Sequence, residues 1–231
     1  MSIDLVLSSG FLAFARQAGF LTAVEESGLQ VDGVCGTSSG ALAGALWAAG
    51  MPAAQIADEL SARAPIRLFR PSWTPWRGLM SLDHVQSLLR EWLPATFADL
   101  DRPFGVGVRC PDGRADVICS GSLPEAVAAS CAIPGVFTPV IVDGIQLQDG
   151  GVVDRTGLDA WRVHRGQRPT VLHLVERSGG GTEPQGPMPA EVCVVRTPRS
   201  GARFWDLGDF LGQLEEARVA TTEAIGAWTD R

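Results

Sequence analysis

The chain of 231 residues carries a formal net charge of -7 and 45% apolar residues, enough to bury a core without metal or disulfide support and too apolar for a disordered polymer. That charge argues against nucleic acid as a general partner, because phosphate binding needs clustered positive charge. Five cysteines, Cys35, Cys110, Cys119, Cys131 and Cys193, include no C-x-x-C pair, so neither a disulfide framework nor a zinc site is expected.

In chain order, residues 4–7 predict a first strand. No lysine or arginine precedes Arg16 and no apolar run reaches membrane-spanning length, so the expectation is a cytoplasmic protein without a secretory signal or a transmembrane helix. A helix is predicted over 14–26, a strand over 33–35, and helices over 39–49 and 53–63. Gly36-Thr37-Ser38-Ser39-Gly40 falls between that strand and the helix after it, the setting of a nucleophile elbow. The flanking glycines allow a sharp bend, so that Ser38 projects from the sheet above a helix N-terminus. There the free amides, that of Ser39 first among them, can hold an oxyanion.

From 60 to 82 no acidic residue occurs, while Arg63, Arg67, Arg70 and Arg77 alternate with Phe69, Trp73, Trp76, Leu79 and Met80. Two readings stand. One is peripheral contact with the inner membrane surface through Arg67, Arg70, Trp73 and Trp76, with rings at headgroup depth and guanidinium groups on phosphate. The other is a loop that packs its tryptophans on the domain and solvates its arginines. Either way the segment is placed near the mouth of the pocket.

Ser81 predicts the N-cap of a helix running to Trp92, residues 104–109 and 115–119 predict strands, and 123–129 a short helix. Asp143-Gly144 marks a hairpin turn, and a short strand over 146–148 leads into Asp149-Gly150-Gly151. Strands over 171–176 and 191–196 flank a polar loop, 178–189, rich in glycine and proline, and a last helix spans 207–228. This alternation predicts one α/β domain over 1–231, with its sheet covered on both sides and its site at the carboxyl ends of the strands.

A serine hydroxyl needs a base to take its proton. The chain has three histidines and no tyrosine. His84 lies inside a predicted helix as a solvent-facing residue, His173 sits mid-strand as a core or edge residue, and His164 is flanked by arginines that oppose its protonation. A triad of Ser38, Asp149 and either His164 or His173, in the order of α/β-hydrolases, is available.

The block Ala126-Val127-Ala128-Ala129-Ser130-Cys131-Ala132-Ile133-Pro134 is followed by Asp149-Gly150-Gly151, about 110 residues after Ser38. Together with the pentapeptide around Ser38, these segments resemble the patatin-like phospholipase family, serine acyl hydrolases with an A-x-x-A-S-x-A-I-P block and a D-G-[GA] motif. The resemblance runs from Asp4 to about Ala227. It implies an α/β, three-layer patatin-like domain with a central, mostly parallel sheet and helices on both faces. It also implies cleavage of lipid carboxylic esters through an acyl-serine, with no metal or organic cofactor. In the implied dyad Ser38 is the nucleophile and Asp149 itself the base, which requires a partly desolvated site that raises the carboxylate's affinity for a proton.

One segment departs from the family. Its glycine-rich loop, roughly G-G-G-x-[RK]-G, is replaced by Ser8-Ser9-Gly10-Phe11-Leu12-Ala13-Phe14, in which only Gly10 matches a glycine and Ala13 takes the basic position. Backbone amides do not depend on side-chain identity, so the amides of Gly10, Phe11 and Ser39 are the oxyanion-hole candidates. Ser130 and Pro134 are assigned structural roles, and Asp143 and Asp154 turn roles. Three rivals stand beside the dyad: a histidine-dependent esterase, a non-catalytic binding protein on a decayed hydrolase scaffold, and a calcium-dependent lipase, which the lack of an acidic D-x-D-x-D-G loop disfavours.

Overall fold

Strand β1 (Ser2–Leu7) is buried along five of its six residues, with Ile3, Leu5 and Leu7 in one apolar cluster and Val6 in another. A strand covered on both faces belongs inside a parallel sheet, and β1 lies there. The computed structural model describes residues 2–176 and 188–230. After β1 come α1 (Phe14–Ser27), β2 (Gln30–Thr37), α2 (Ser39–Ala48) and α3 (Ala53–Ser61). A small hairpin, β3 (Arg70–Pro71) with β4 (Met80–Ser81), precedes α4 (Asp83–Trp92). Then follow β5 (Phe104–Arg109), β6 (Ala115–Ile118), α5 (Leu123–Ser130), β7 (Val140–Val142) and β8 (Ile145–Asp149). The chain closes with α6 (Leu158–Arg165), β9 (Thr170–Val175), β10 (Val192–Thr197) and α7 (Phe210–Thr229).

The main sheet has the order β10-β9-β1-β2-β5-β8-β7, with β6 also on β5. β10, β9, β1, β2 and β5 run parallel, β6 and β8 pair antiparallel with β5, and β7 pairs antiparallel with β8. This is the mostly parallel sheet, with helices on both faces, that the family resemblance implies. Residues of α1, α2, α5 and α7 share the larger cluster with Ile3, Leu5 and Leu7. On the other face Leu158 and Trp161 of α6 pack against Val6, Cys35 and Leu172.

One edge of β5 is shared by two strands. β2 pairs with β5 as far as Gly107, where its chain leaves the sheet, and β8 takes up the pairing at Val108 and Arg109. Val108 and Asp149 are direct partners, so the end of β8 arrives where β2 ends.

Several elements differ from their sequence expectation. α6 was not expected, because an eight-residue helix with only Leu158 and Trp161 buried gives too short a period to read. Ser81 acts one position outside the α4 cap, its Oγ accepting the Asp83 N–H at 3.0 Å while Leu82 occupies the cap itself. α7 starts at Phe210 rather than 207, because the Asp209 carboxylate accepts the Gly212 N–H at 2.9 Å and caps the helix there. The loop expected over 178–189 lies outside the described residues up to 187. Among the described residues no helix is long and apolar enough to cross a membrane.

Candidate active site

Ser38 stands between β2 and α2 with φ 54° and ψ -120°, a conformation that costs an L-residue about 1–3 kcal/mol and persists only when the surroundings impose it. Here they do. A Cβ on Gly36 would strike the Gly40 carbonyl, and one on Gly40 the Leu7 carbonyl, so the bend closes only with glycine at both places. Ser130 braces the same turn: its Oγ accepts the Ser38 N–H at 2.8 Å and donates to the Gly107 carbonyl at 2.6 Å. It thereby ties the elbow to β5.

The edge sharing on β5 delivers Asp149 to this point. Its Oδ2 accepts the Ser38 hydroxyl at 2.8 Å and its Oδ1 the Gly151 N–H at 2.7 Å. The residue is 4% exposed. Burial penalises the charged carboxylate more than those two hydrogen bonds relieve it, and lifts its pKa to about 6.

The segment Ser8 to Ala13 runs beside the elbow. The N–H groups of Ser8 and Ser9 are used, on the carbonyls of His173 at 2.9 Å and Arg155 at 2.7 Å. Among the described residues, those of Gly10, Phe11 and Ser39 have no acceptor. All three residues line one cavity of about 80 Å³ with Ser38. The rest of its wall is apolar, with Leu42, Leu68, Phe69 and Phe137 among its residues. Phe11 fits beside the elbow by standing edge-on to Phe204, with ring centroids 5.1 Å apart.

The histidines stand elsewhere. His173 is fully buried, with Nδ1 against Gln17 Oε1 at 2.8 Å, Nε2 against the Thr197 hydroxyl at 2.9 Å, and its ring stacked on Phe20. Burial holds it neutral by lowering its pKa to about 3. His164 is exposed on α6 and His84 is partly buried on α4. None of the three lines the Ser38 cavity or bonds to Asp149. The Ser-Asp-His arrangement considered from sequence is not assembled. Asp154 and Asp143 occupy turns, Asp154 accepting the N–H groups of Thr156 at 2.9 Å and Gly157 at 3.1 Å. Among the described residues no three metal-ligating side chains gather to hold an ion.

Segment 60–82 does not pack its tryptophans: Trp73 is 96% and Trp76 80% exposed. Arg63, Arg67, Arg70 and Arg77 are exposed as well. The same segment turns Pro65, Leu68 and Phe69 inward as cavity wall, so its outer face lies beside the pocket, as expected. Sequence reading missed Arg155 and Gln17, which hold the Ser8–Ser9 main chain. Gln17 donates to the Ser8 carbonyl at 2.8 Å, and Arg155 to that of Ser9 at 2.8 Å. Neither sits in a motif, and a glutamine or arginine read alone carries no such signal.

A family model described as patatin-like phospholipase matches residues 5–160. An uncharacterized NTE family protein of Mycobacterium tuberculosis is 33% identical over 156 residues, covering 66% of this chain and 43% of that protein. Lysophospholipase nte1 of Aspergillus niger is 28% identical over 171 residues, covering 68% of this chain and 11% of that protein. The chain thus spans less than half the length of these curated relatives. Among solved structures, VipD of Legionella pneumophila aligns with a TM-score of 0.61 at 13% identity, covering 97% of this chain and 67% of that one. ExoU of Pseudomonas aeruginosa, in its complex with SpcU, aligns with a TM-score of 0.54 at 17% identity, over 99% and 52%. At such identities the likeness is one of fold.

Proposed function

The chain belongs to the patatin-like phospholipase family, and from that premise we propose that residues 1–231 form one lipid acyl hydrolase domain in which Ser38 is the nucleophile and Asp149 the general base. The observation that carries this reading is the 2.8 Å contact between the Ser38 hydroxyl and Asp149 Oδ2. Its chemical force comes from the buried carboxyl, whose pKa near 6 leaves it ionised at neutral pH yet far more basic than a solvated aspartate.

In the first step Ser38 Oγ bonds to the ester carbonyl carbon while its proton passes to Asp149. The tetrahedral oxyanion meets the N–H groups of Gly10, Phe11 and Ser39, which have no acceptor of their own to surrender among the described residues. Collapse breaks the ester C–O bond, and Asp149 returns the proton to the leaving alcohol, so the acyl group stays on Ser38 and the carboxylate is again ionised. A water then enters, loses its proton to Asp149, and releases the acid with Ser38 restored. The apolar wall of the cavity suits the hydrocarbon end of an acyl group, and the names of the fungal relatives favour a phospholipid or lysophospholipid ester.

We assign the exposed face of 60–82 to anionic lipid surfaces. Trp73 and Trp76 stand clear of the domain, and no carboxylate in the segment neutralises its four arginines. A face beside the pocket would let substrate pass from the bilayer to Ser38.

The test is labelling by a fluorophosphonate probe together with hydrolysis of p-nitrophenyl butyrate. Wild type should do both, and Ser38→Ala neither, with its fold retained. His164→Ala should keep both activities. Undiminished labelling of Ser38→Ala would move the nucleophile elsewhere, and loss of activity in His164→Ala would restore the triad.

A further inference from the structure

The loop that carries Gly10 and Phe11 has no basic side chain of its own, yet a guanidinium reaches it from the far end of the Asp149 turn. Arg155 is 3% exposed. Its Nη2 donates to the Ser9 carbonyl at 2.8 Å and to the Val175 carbonyl, at the end of β9, at 2.6 Å. Its Nε lies 3.4 Å from the Ser9 hydroxyl, and its own carbonyl accepts the Ser9 N–H at 2.7 Å. Ser9 is thus gripped by one residue at its N–H, its hydroxyl and its carbonyl. A guanidinium is costly to bury and persists only where its donors are met.

Resting on the acyl-hydrolase reading above, we propose that Arg155 is the positioning residue of the oxyanion hole, fixing the Ser9–Gly10 peptide so that the Gly10 N–H faces the reacting carbonyl. The peptide group is planar and trans, so its C=O and N–H point in opposite directions. With the Ser9 oxygen held on Arg155, the Gly10 N–H is turned away from Arg155. That N–H has no acceptor among the described residues, and Gly10 lines the cavity together with Ser38. The grip from behind therefore aims the donor in front. Gln17 supports the preceding peptide in the same way, holding the Ser8 carbonyl while the Ser9 N–H goes to Arg155.

The route of the chain couples this clamp to the base. Between Asp149 and Arg155 the backbone makes a tight turn in which the Gly150 carbonyl accepts the N–H groups of Val153 and Asp154, each at 2.9 Å. The Asp154 carboxylate locks the next turn through Thr156 and Gly157. One short rigid segment thus carries the proton acceptor at one end and the clamp on the oxyanion loop at the other. Lysine cannot replace the clamp in full, because its one nitrogen cannot meet the Ser9 and Val175 carbonyls, as Nη2 does, while a second nitrogen reaches the Ser9 hydroxyl, as Nε does.

Arg155→Gln and Arg155→Lys, made in the full chain, test this with p-nitrophenyl butyrate and two inhibitors. One is a butyl trifluoromethyl ketone, which adds to a serine as a tetrahedral adduct, and the other is the matching alcohol, which does not. Loss of one oxyanion donor lowers turnover by about 100- to 1000-fold, and Arg155→Gln should lose kcat on that scale with KM within about threefold. Arg155→Lys, which still reaches one carbonyl, should lose about tenfold. Affinity for the trifluoromethyl ketone should fall in step with kcat while affinity for the alcohol stays. A loss shared equally by both inhibitors makes Arg155 a fold-stabilising residue only and overturns the assignment, as does a kcat within threefold of wild type in either variant. Should Arg155→Gln fail to fold, Arg155→Lys carries the same criteria. A wild-type protein with neither hydrolysis nor probe labelling refutes the hydrolase reading itself and takes this assignment with it.

Discussion

Replacing Asp149 with asparagine should make the protein inactive and, at alkaline pH, more stable. The carboxyl is 4% exposed and its pKa is raised by burial from the ordinary 3.8 to about 6. That difference corresponds to about 3 kcal/mol of stability that the wild type loses as pH rises. Because the folded state binds this proton more tightly than the unfolded chain, the contribution is complete below the unfolded value. It drains away between about 4 and 6 and stays lost above. Asparagine is neutral throughout. Its oxygen can accept the Gly151 N–H and its amide can donate to Ser38 Oγ, so both partners of the native carboxylate remain met. Imperfect geometry should take back about 1 kcal/mol, leaving about 2 kcal/mol, or roughly 4–8 °C in Tm for a chain of this size. Thermal unfolding of both proteins from pH 4 to pH 8, read by circular dichroism, measures it. At the acid end the variant should melt slightly below wild type, where only the cost of about 1 kcal/mol in geometry remains, and the full gain should appear once the carboxyl is ionised, above about pH 6. A variant that melts at or below wild type at pH 8, or a gap independent of pH, refutes the claim that this carboxylate is held ionised against its surroundings.

The ionised form of Asp149 is the one that can accept the serine proton, so kcat/KM for a soluble ester should climb with pH through about 6 and level off above it; a rate still at its plateau at pH 4.5 would remove Asp149 from the role of base. Serine at Arg67, Arg70, Trp73 and Trp76 together should weaken sedimentation with anionic vesicles and slow hydrolysis of vesicle lipid while sparing p-nitrophenyl butyrate. Added salt should reproduce the arginine share, since it shortens the Debye length below its value of about 8 Å at physiological ionic strength. Unchanged vesicle binding, or equal damage to both substrates, would return the segment to the pocket wall.

The features of the site that were legible in the sequence are those whose chemistry is local. Gly36 and Gly40 announce a sharp turn because only glycine tolerates the approach of a neighbouring backbone, and Asp149-Gly150-Gly151 announces another for the same reason. That the two turns meet is a long-range fact. It depends on β8 pairing with β5 beyond Gly107, and the resemblance to a family, rather than any spacing, pointed to it. Arg155 and Gln17 were invisible because a buried side chain bonded to distant main-chain carbonyls leaves no periodicity and no motif. The exposure of Trp73 and Trp76 was equally undetermined, since the same composition suits a packed loop and a bare one. His173 is a partial case: its mid-strand position indicated a core or edge residue, and the structure places it in the core with both ring nitrogens met.

The handover on β5 makes the distance between Ser38 and Asp149 a matter of counting. Only two residue pairs join β8 to β5, Val108 with Asp149 and Arg109 with Gln148, and the pairing of β7 with β8 runs back from there to the turn at Asp143 and Gly144. Side chains on a strand alternate between faces, so a slip of one residue in this short ladder would send the carboxylate to the opposite side of the sheet. The two-residue turn is therefore the ruler from which the contact between Ser38 and Asp149 is measured, although it touches neither residue. Lengthening the hairpin by one residue should break the contact between Ser38 and Asp149 as surely as replacing Asp149, and a length change by two, which preserves the face, would shift Asp149 along the strand instead. The contact between Ser38 and Asp149 is thus exposed to insertions and deletions at a turn that lies outside it.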